Sequence, residues 1–181
     1  PILAAVILGR GTSRIENCPQ LSDVSAAVRI LEHLGARVER EGTTLTIDTA
    51  VLEHYDIPDE MMREMRSSII FLGALLSATG EAVFTAPGGC KIGLRPIDIH
   101  LDALKKLGYE FSDKQGYIRC SRRLVKGKKI ALSFPSVGAT ENIILATVRS
   151  SGVTTIINAA REPEIVDLAM FLNSCGARIR G

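Results

Sequence analysis

The sequence holds no tryptophan, and its three tyrosines and five phenylalanines are too few to stack a run of nucleic-acid bases. A formal charge of +2 is likewise too mild for a basic nucleic-acid footprint. Nucleic acid is therefore not expected as a partner, and a small anionic ligand suits the balance better. No apolar run reaches the roughly 18 residues of a membrane-spanning helix, because Arg10, Arg66 and charged loops interrupt the candidates. A soluble chain with no membrane partner is expected. Residues 1–8 are apolar but have neither a basic lead-in nor a small-residue cleavage site, so they read as a buried helix whose upstream sequence is missing, not as a signal peptide. Cysteine is scarce: Cys18, Cys90, Cys120 and Cys175 lie far apart, without a C-x-x-C metal pattern or the density of a disulfide scaffold, which points to a reducing, cytoplasmic setting. His33, His54 and His100 share no motif with one another or with carboxylates; they read as surface or helix-face residues, and no metal site is expected. What the chain does have is apolar material, 46% of 181 residues, enough for one domain with a substantial core.

That material is arranged periodically. A helix ending in a Leu-Gly or Cys-Gly pair recurs, with Gly35, Gly108 and Gly176 standing 73 and 68 residues apart. Each helix repeats one apolar stripe at i, i+4, i+7, i+10: Val24, Val28, Leu31, Leu34; Ile97, Leu101, Leu104, Leu107; Ile165, Ala169, Leu172, Cys175. The glycine after each stripe predicts a left-handed cap, followed by short strands over 36–40, 109–112 and 177–180. Another apolar helix and a strand precede each stripe: helices within 2–8, 68–79 and 143–148, strands within 13–17, 82–86 and 154–158. Polar-apolar alternation predicts hairpins pairing 37–40 with 45–48 and 109–112 with 117–120. The unit is βαβαββ in three rough copies, an α/β (α+β) class. The first copy lacks its leading strand and the third stops after one hairpin strand, so a longer parent chain is expected.

The copies differ in one loop. A proline is expected to close the strand before the second helix of each copy: Pro19 to Gly35 spans 16 residues, Pro87 to Gly108 spans 21, and Pro163 to Gly176 spans 13. A repeat has no packing need for extra residues in one copy, and loops on a rigid scaffold are where chemistry tends to sit. The additional residues read Pro87-Gly-Gly-Cys-Lys-Ile-Gly-Leu-Arg-Pro96. Their glycines permit a close backbone approach to a ligand, and Pro96 suits a helix start. Lys91 and Arg95 flank Cys90 with positive charge that favours a thiolate or a readily shared proton, and the same charges would hold phosphate or carboxylate. From the residues alone, a glycine-rich turn that merely contains a cysteine fits equally well.

The segment Pro87-Gly-Gly-Cys-Lys-Ile-Gly-Leu-Arg-Pro-Ile-Asp98 resembles the active-site loop of the enolpyruvyl transferases that begin peptidoglycan synthesis. Ser136-Val-Gly-Ala-Thr-Glu-Asn142, Asn158-Ala-Ala-Arg-Glu-Pro-Glu-Ile-Val-Asp167 and Met65-Arg66-Ser67-Ser68 resemble three more of that family's segments, in order, and the likeness runs from Pro1 to Gly181. The resemblance implies an inside-out α/β barrel of three βαβαββ units, one of two domains with the active site in the cleft between them. Residues 1–181 would be the domain that carries the cysteine loop, with the second domain outside this chain. It also implies transfer of the enolpyruvyl group of phosphoenolpyruvate to the 3-hydroxyl of UDP-N-acetylglucosamine, in the cytoplasm, without a metal or organic cofactor.

By that resemblance Cys90 is the general acid and covalent-adduct residue, alkylated by fosfomycin. Arg66 and Arg95 contact the anionic substrates. Pro96, Ile97, Asp98 and Ile99 line the uridine end, and Ser136, Val137 and Gly138 hold the nucleotide sugar. Each has a plainer reading: a solvated helix arginine for Arg66, a first-turn carboxylate for Asp98, a helix N-cap for Ser136. Glu162 and Glu164 are explained by capping, and Cys18, Cys120 and the core-placed Cys175 are read as inert. Phe134 departs from the family, where many relatives carry a lysine that helps the diphosphate. The family's Lys-Asn pair for phosphoenolpyruvate, its aspartate general base and its last phosphate-binding arginine fall outside these residues. A stand-alone nucleotide-sugar binding or regulatory module stays open, as does another enolpyruvyl transferase or an RNA 3'-phosphate cyclase relative, although neither of the latter resembles Pro-Gly-Gly-Cys at this place.

Overall fold

The computed structural model describes residues 1–86, 97–122 and 125–181, and of Arg122 the backbone only. Helix α1 (Ile2–Ala5) runs on as a 3-10 turn (Val6–Gly9) into β1 (Thr12–Ile15), α2 (Ser22–His33), β2 (Arg37–Glu41) and β3 (Thr44–Asp48). A second set follows: α3 (Asp59–Glu64), a 3-10 turn (Arg66–Ile70) continuing as α4 (Phe71–Thr79), then β4 (Glu81–Phe84), α5 (Asp98–Leu107), β5 (Tyr109–Lys114) and β6 (Tyr117–Arg122). The third comprises β7 (Lys129–Ala131), α6 (Val137–Thr147), β8 (Thr155–Ile157) and α7 (Pro163–Ser174).

The first two sets build equivalent antiparallel sheets, ordered β1-β3-β2 and β4-β6-β5. Ile47 faces Ser13 on one side and Val38 on the other, and Cys120 faces Ala82 and Phe111 in the same way. The leading strand is parallel to the strand that follows its helix. It is complete in the third set, where Ile130 faces Ile156, and reduced to the Asp56–Val83 bridge in the second.

Apolar helices lie inside and the sheets outside. Every residue of α4 from Phe71 to Leu76 is buried, as is every residue of α6 from Ala139 to Ala146, and these two helices pack on each other. A helix that is hydrophobic all round belongs in a core, whereas the one-sided stripes of α2 and α5 cover that core from outside. The expected stripe residues Leu31, Leu34, Leu104 and Leu107 are completely buried, each worth about 2 kcal/mol of apolar burial. Gly35, Gly108 and Gly176 all take positive φ, at 104°, 106° and 99°. The turn this permits returns the Ala36 N–H to the Leu31 carbonyl and the Ala177 N–H to the Leu172 carbonyl, closing the helix ends.

Three expectations are corrected in the third set. Residues 177–180 form no strand; none of the described residues pairs with them as β3 and β6 pair with β2 and β5, and the Asn173 side chain holds Ile179 instead, through both its amide groups. Cys175 is exposed, not in the core, because α7 buries Leu168 and Leu172 and the turn after Ser174 carries the next position outward. Pro163 begins α7, where its missing N–H costs nothing, and does not close the strand. Among the described residues no helix is long and apolar enough to cross a membrane.

Candidate functional site

Cys90, Lys91, Arg95 and Pro96 lie outside the described residues. The other expected site residues are described, and the fold gathers them. Arg66 opens the 3-10 turn before α4 and is half-buried. Ile97 is the buried N-terminal flank of α5, followed by exposed Asp98 and half-buried Ile99. Ser136, Val137 and Gly138 form the start of α6, all half-buried. The first turn of α5 meets α6, and α6 meets the Arg66 turn.

The residue at the centre is one the sequence reading took for a surface or helix-face position, and the helix face it occupies is buried. His100, on the first turn of α5, is only 7% exposed. Its ring stands so close to Gly138 that an added Cβ would lie 2.9 Å from Cε1 and 3.4 Å from Nε2. Its Nδ1 lies 2.8 Å from the Asn142 side-chain nitrogen. Burial, with the positive charge of Arg66 adding to it, pushes the imidazole down to about 4, so the ring is neutral near pH 7. Arg66, His100 and Gly138 are thereby linked by charge and contact, although they come from three different helical segments.

Ser136 is the N-cap of α6: its hydroxyl accepts from the Ala139 N–H at 3.3 Å. The plain N-cap reading is therefore correct, and among the described residues nothing takes the hydroxyl proton, which can donate to a ligand. The Asn158 motif comes to the same helix end. The Ala160 N–H donates to the Thr140 hydroxyl, which in turn donates to the Ser136 carbonyl, while the Asn158 amide donates to the Leu132 carbonyl. Glu162 is the N-cap residue of α7 without a side-chain bond into the helix; its carboxylate accepts from the Arg161 N–H, and Glu164 lies in the first turn. Both sit where their negative charge favours the helix terminus.

His33 and His54 stack with ring centroids 5.1 Å apart, and Asp56 lies 3.5 Å from the former and 3.8 Å from the latter, so two histidines and a carboxylate do meet. The fold brings them together by folding the 51–57 connector onto the end of α2, where the Glu53 N–H reaches the Leu34 carbonyl. Among the described residues no group of three has the arrangement to hold a metal ion. Cys120 is completely buried and burial drives its thiol far up, away from reactivity.

What sequence reasoning missed here is His100 and Asn142. A signal was available: an asparagine directly before the apolar run Ile143-Ile144-Leu145-Ala146, which reads as a buried helix, must have its amide satisfied by something.

The whole chain, residues 1–181, matches the family described as EPSP synthase (3-phosphoshikimate 1-carboxyvinyltransferase). It is 54% identical over its full length to UDP-N-acetylglucosamine 1-carboxyvinyltransferase 2 of Caldanaerobacter subterraneus subsp. tengcongensis, of which it covers 43%. It is 50% identical to UDP-N-acetylglucosamine 1-carboxyvinyltransferase 1 of Symbiobacterium thermophilum, of which it covers 42%. The chain thus spans about two fifths of the length of these relatives. Among solved structures it is similar to the enolpyruvyl transferase NikO from Streptomyces tendae, with a TM-score of 0.85 at 23% identity over 98% of this chain and 42% of that one. EPSP synthase from Acinetobacter baumannii superposes with a TM-score of 0.73 at 18% identity over 99% of this chain and 42% of that one. At such identities the likeness establishes the fold, one domain of the enolpyruvyl transferase architecture.

Proposed function

The chain belongs to the EPSP synthase family, and from that premise we propose that it forms part of an enzyme transferring the enolpyruvyl group of phosphoenolpyruvate to the 3-hydroxyl of UDP-N-acetylglucosamine. The observation that carries this reading is the 54% identity, across all 181 residues, to a protein bearing that activity in its name.

The chemistry asks for three things. The sugar hydroxyl adds to C2 of phosphoenolpyruvate while a proton is delivered to C3, giving a tetrahedral ketal. Loss of inorganic phosphate and of a C3 proton then restores the double bond as an enolpyruvyl ether. Positive charge builds at C2 in both steps, so a proton donor must reach C3 and cations must hold the phosphate and carboxylate. Cys90 is assigned the proton transfer at C3 and the covalent adduct, with Arg95 holding substrate anions beside it. Arg66 supplies a second cation next to the α5 and α6 termini. Pro96, Ile97, Asp98 and Ile99 take the uridine end. Ser136 offers a hydroxyl proton, and Val137 and Gly138 offer backbone, to the nucleotide sugar. The general base and further phosphate-binding cations belong to a second domain of a longer, cytoplasmic polypeptide, for which the relatives' length allows room.

The test is phosphate release from phosphoenolpyruvate and UDP-N-acetylglucosamine by the polypeptide as its gene encodes it. Turnover dependent on both substrates supports the reading. Nucleotide-sugar binding with no release at any phosphoenolpyruvate concentration would instead favour a binding module. Residues 1–181 alone are expected to show no turnover.

A further inference from the structure

We propose that Asn142 and His100 form a positioning pair that holds the first turns of α5 and α6 at the separation the 136–138 segment needs, with the imidazole locked as its Nε2–H tautomer. The proposal deepens the function above and rests on the assignment of 136–138 to the nucleotide sugar.

The lock follows from counting donors. Asn142 is completely buried, and its amide has three partners. The Gly73 N–H can only donate, so the atom it reaches at 2.7 Å is the amide oxygen. That fixes the orientation of the amide and leaves two N–H groups on its nitrogen. The Ile69 carbonyl, 3.1 Å from that nitrogen, can only accept, and takes one of them. The other points at His100 Nδ1, 2.8 Å away, which must therefore be the bare ring nitrogen. The proton sits on Nε2, on the edge that borders Gly138. Protonating the ring would set an N–H against an N–H, in agreement with the depressed basicity of this histidine.

The anchor at the other end is firm. Ile69 and Gly73 are four residues apart, the acceptor and donor that an α-helical turn would join to each other, and they flank the place where the 3-10 turn becomes α4. Asn142 bridges both, so α6 is attached to the backbone of α4 and not to a mobile side chain. A Cβ on Gly73 would come within 2.4 Å of the Asn142 carbonyl oxygen, which shows how closely the two helices cross. From this anchor the chain of contacts runs Asn142, His100, Gly138. The ring is a spacer of fixed orientation between two helix starts that carry Asp98 and Ile99 on one side and 136–138 on the other.

The experiment uses the polypeptide as encoded, labelled with 15N at histidine. Long-range proton–nitrogen spectra at pH 7 should show His100 with a protonated Nε2 and a bare Nδ1. A proton on Nδ1, or an averaged signal, overturns the lock. His100→Phe keeps a ring but leaves an Asn142 N–H unpaired; it should weaken UDP-N-acetylglucosamine binding by about tenfold, the scale of one unsatisfied buried donor. Phosphoenolpyruvate binding should change much less. His100→Gln restores an acceptor to Asn142 and should recover most of the affinity. A folded His100→Phe protein that binds the nucleotide sugar as tightly as the unaltered one overturns the positioning role. Should His100→Phe not fold, the spectrum of the unaltered protein and the glutamine variant still decide. The spectrum involves no substrate, so a locked Nε2–H imidazole in a protein without turnover would sink the transferase reading and leave the lock standing.

Discussion

Gly138 and His100 stand so close that a single methyl group on the glycine would lie 2.9 Å from the imidazole Cε1. The ring is tethered at the adjoining Nδ1 by Asn142 at 2.8 Å, so it has little room to retreat. Gly138→Ala should therefore separate the starts of α5 and α6 and cost about 1–3 kcal/mol, the usual range for an overpacked site. Chemical denaturation of the 181-residue chain measures the loss, and an unchanged midpoint would show that the ring can move after all.

Gly73→Ala should be the more damaging of the two. Its Cβ would meet the Asn142 backbone oxygen at 2.4 Å and the side-chain oxygen at 2.8 Å, and backbone cannot swing aside as a ring can. A destabilisation of about 3 kcal/mol or more, at the upper end for overpacking, is expected in the same denaturation experiment. A loss smaller than that of Gly138→Ala would contradict the close α4–α6 crossing.

The pH dependence of stability should be nearly flat between pH 4.5 and 6.5 because two buried groups oppose each other. His100 is depressed from 6.5 to about 4. Its contribution is complete above 6.5 and is lost as pH falls through 4. Glu141, 2% exposed, is raised by burial from 4.5 to about 7. Its contribution is complete below 4.5 and is lost as pH rises through 7. Each slope is at most about 1.4 kcal/mol per pH unit for one proton. His100→Gln should unmask a fall in stability with rising pH, and Glu141→Gln a rise. Denaturant midpoints at a series of pH values test both, and two variants sloping the same way would refute the pairing.

Cysteine reactivity separates the four thiols. Cys18 and Cys120 are buried and should be spared by iodoacetamide, whereas exposed Cys175 should be alkylated. Fosfomycin should modify Cys90 alone in the polypeptide as encoded. Peptide mass spectrometry reads each site, and fosfomycin carried by Cys175 would count against the assignment of Cys90.

Much of this architecture could be read before any coordinates. Leu31-x-x-Leu34-Gly35 and Leu104-x-x-Leu107-Gly108 announce a helix face and its left-handed cap, because apolar spacing and a positive-φ glycine are local matters. The hairpins followed from alternation within single segments. The strand expected at 177–180 failed for the opposite reason, since an extended segment becomes a strand only when a partner backbone bonds to it. Cys175 shows the same limit: the stripe reaches the end of α7, but the helix stops at Ser174 and the turn carries the next position outward, which spacing alone does not reveal.

Local periodicity and the ordered motifs thus determined the repeating unit, the family and the candidate residues, because each is encoded over a few neighbouring positions. Tertiary structure alone decided that Arg66, His100, Gly138 and Asn142 share one neighbourhood, and that His33, His54 and Asp56 share another. Those meetings join residues up to 76 positions apart (Arg66 to Asn142), and hydrogen-bond roles such as the protonated nitrogen of His100 exist only once every donor in the cluster has met its acceptor.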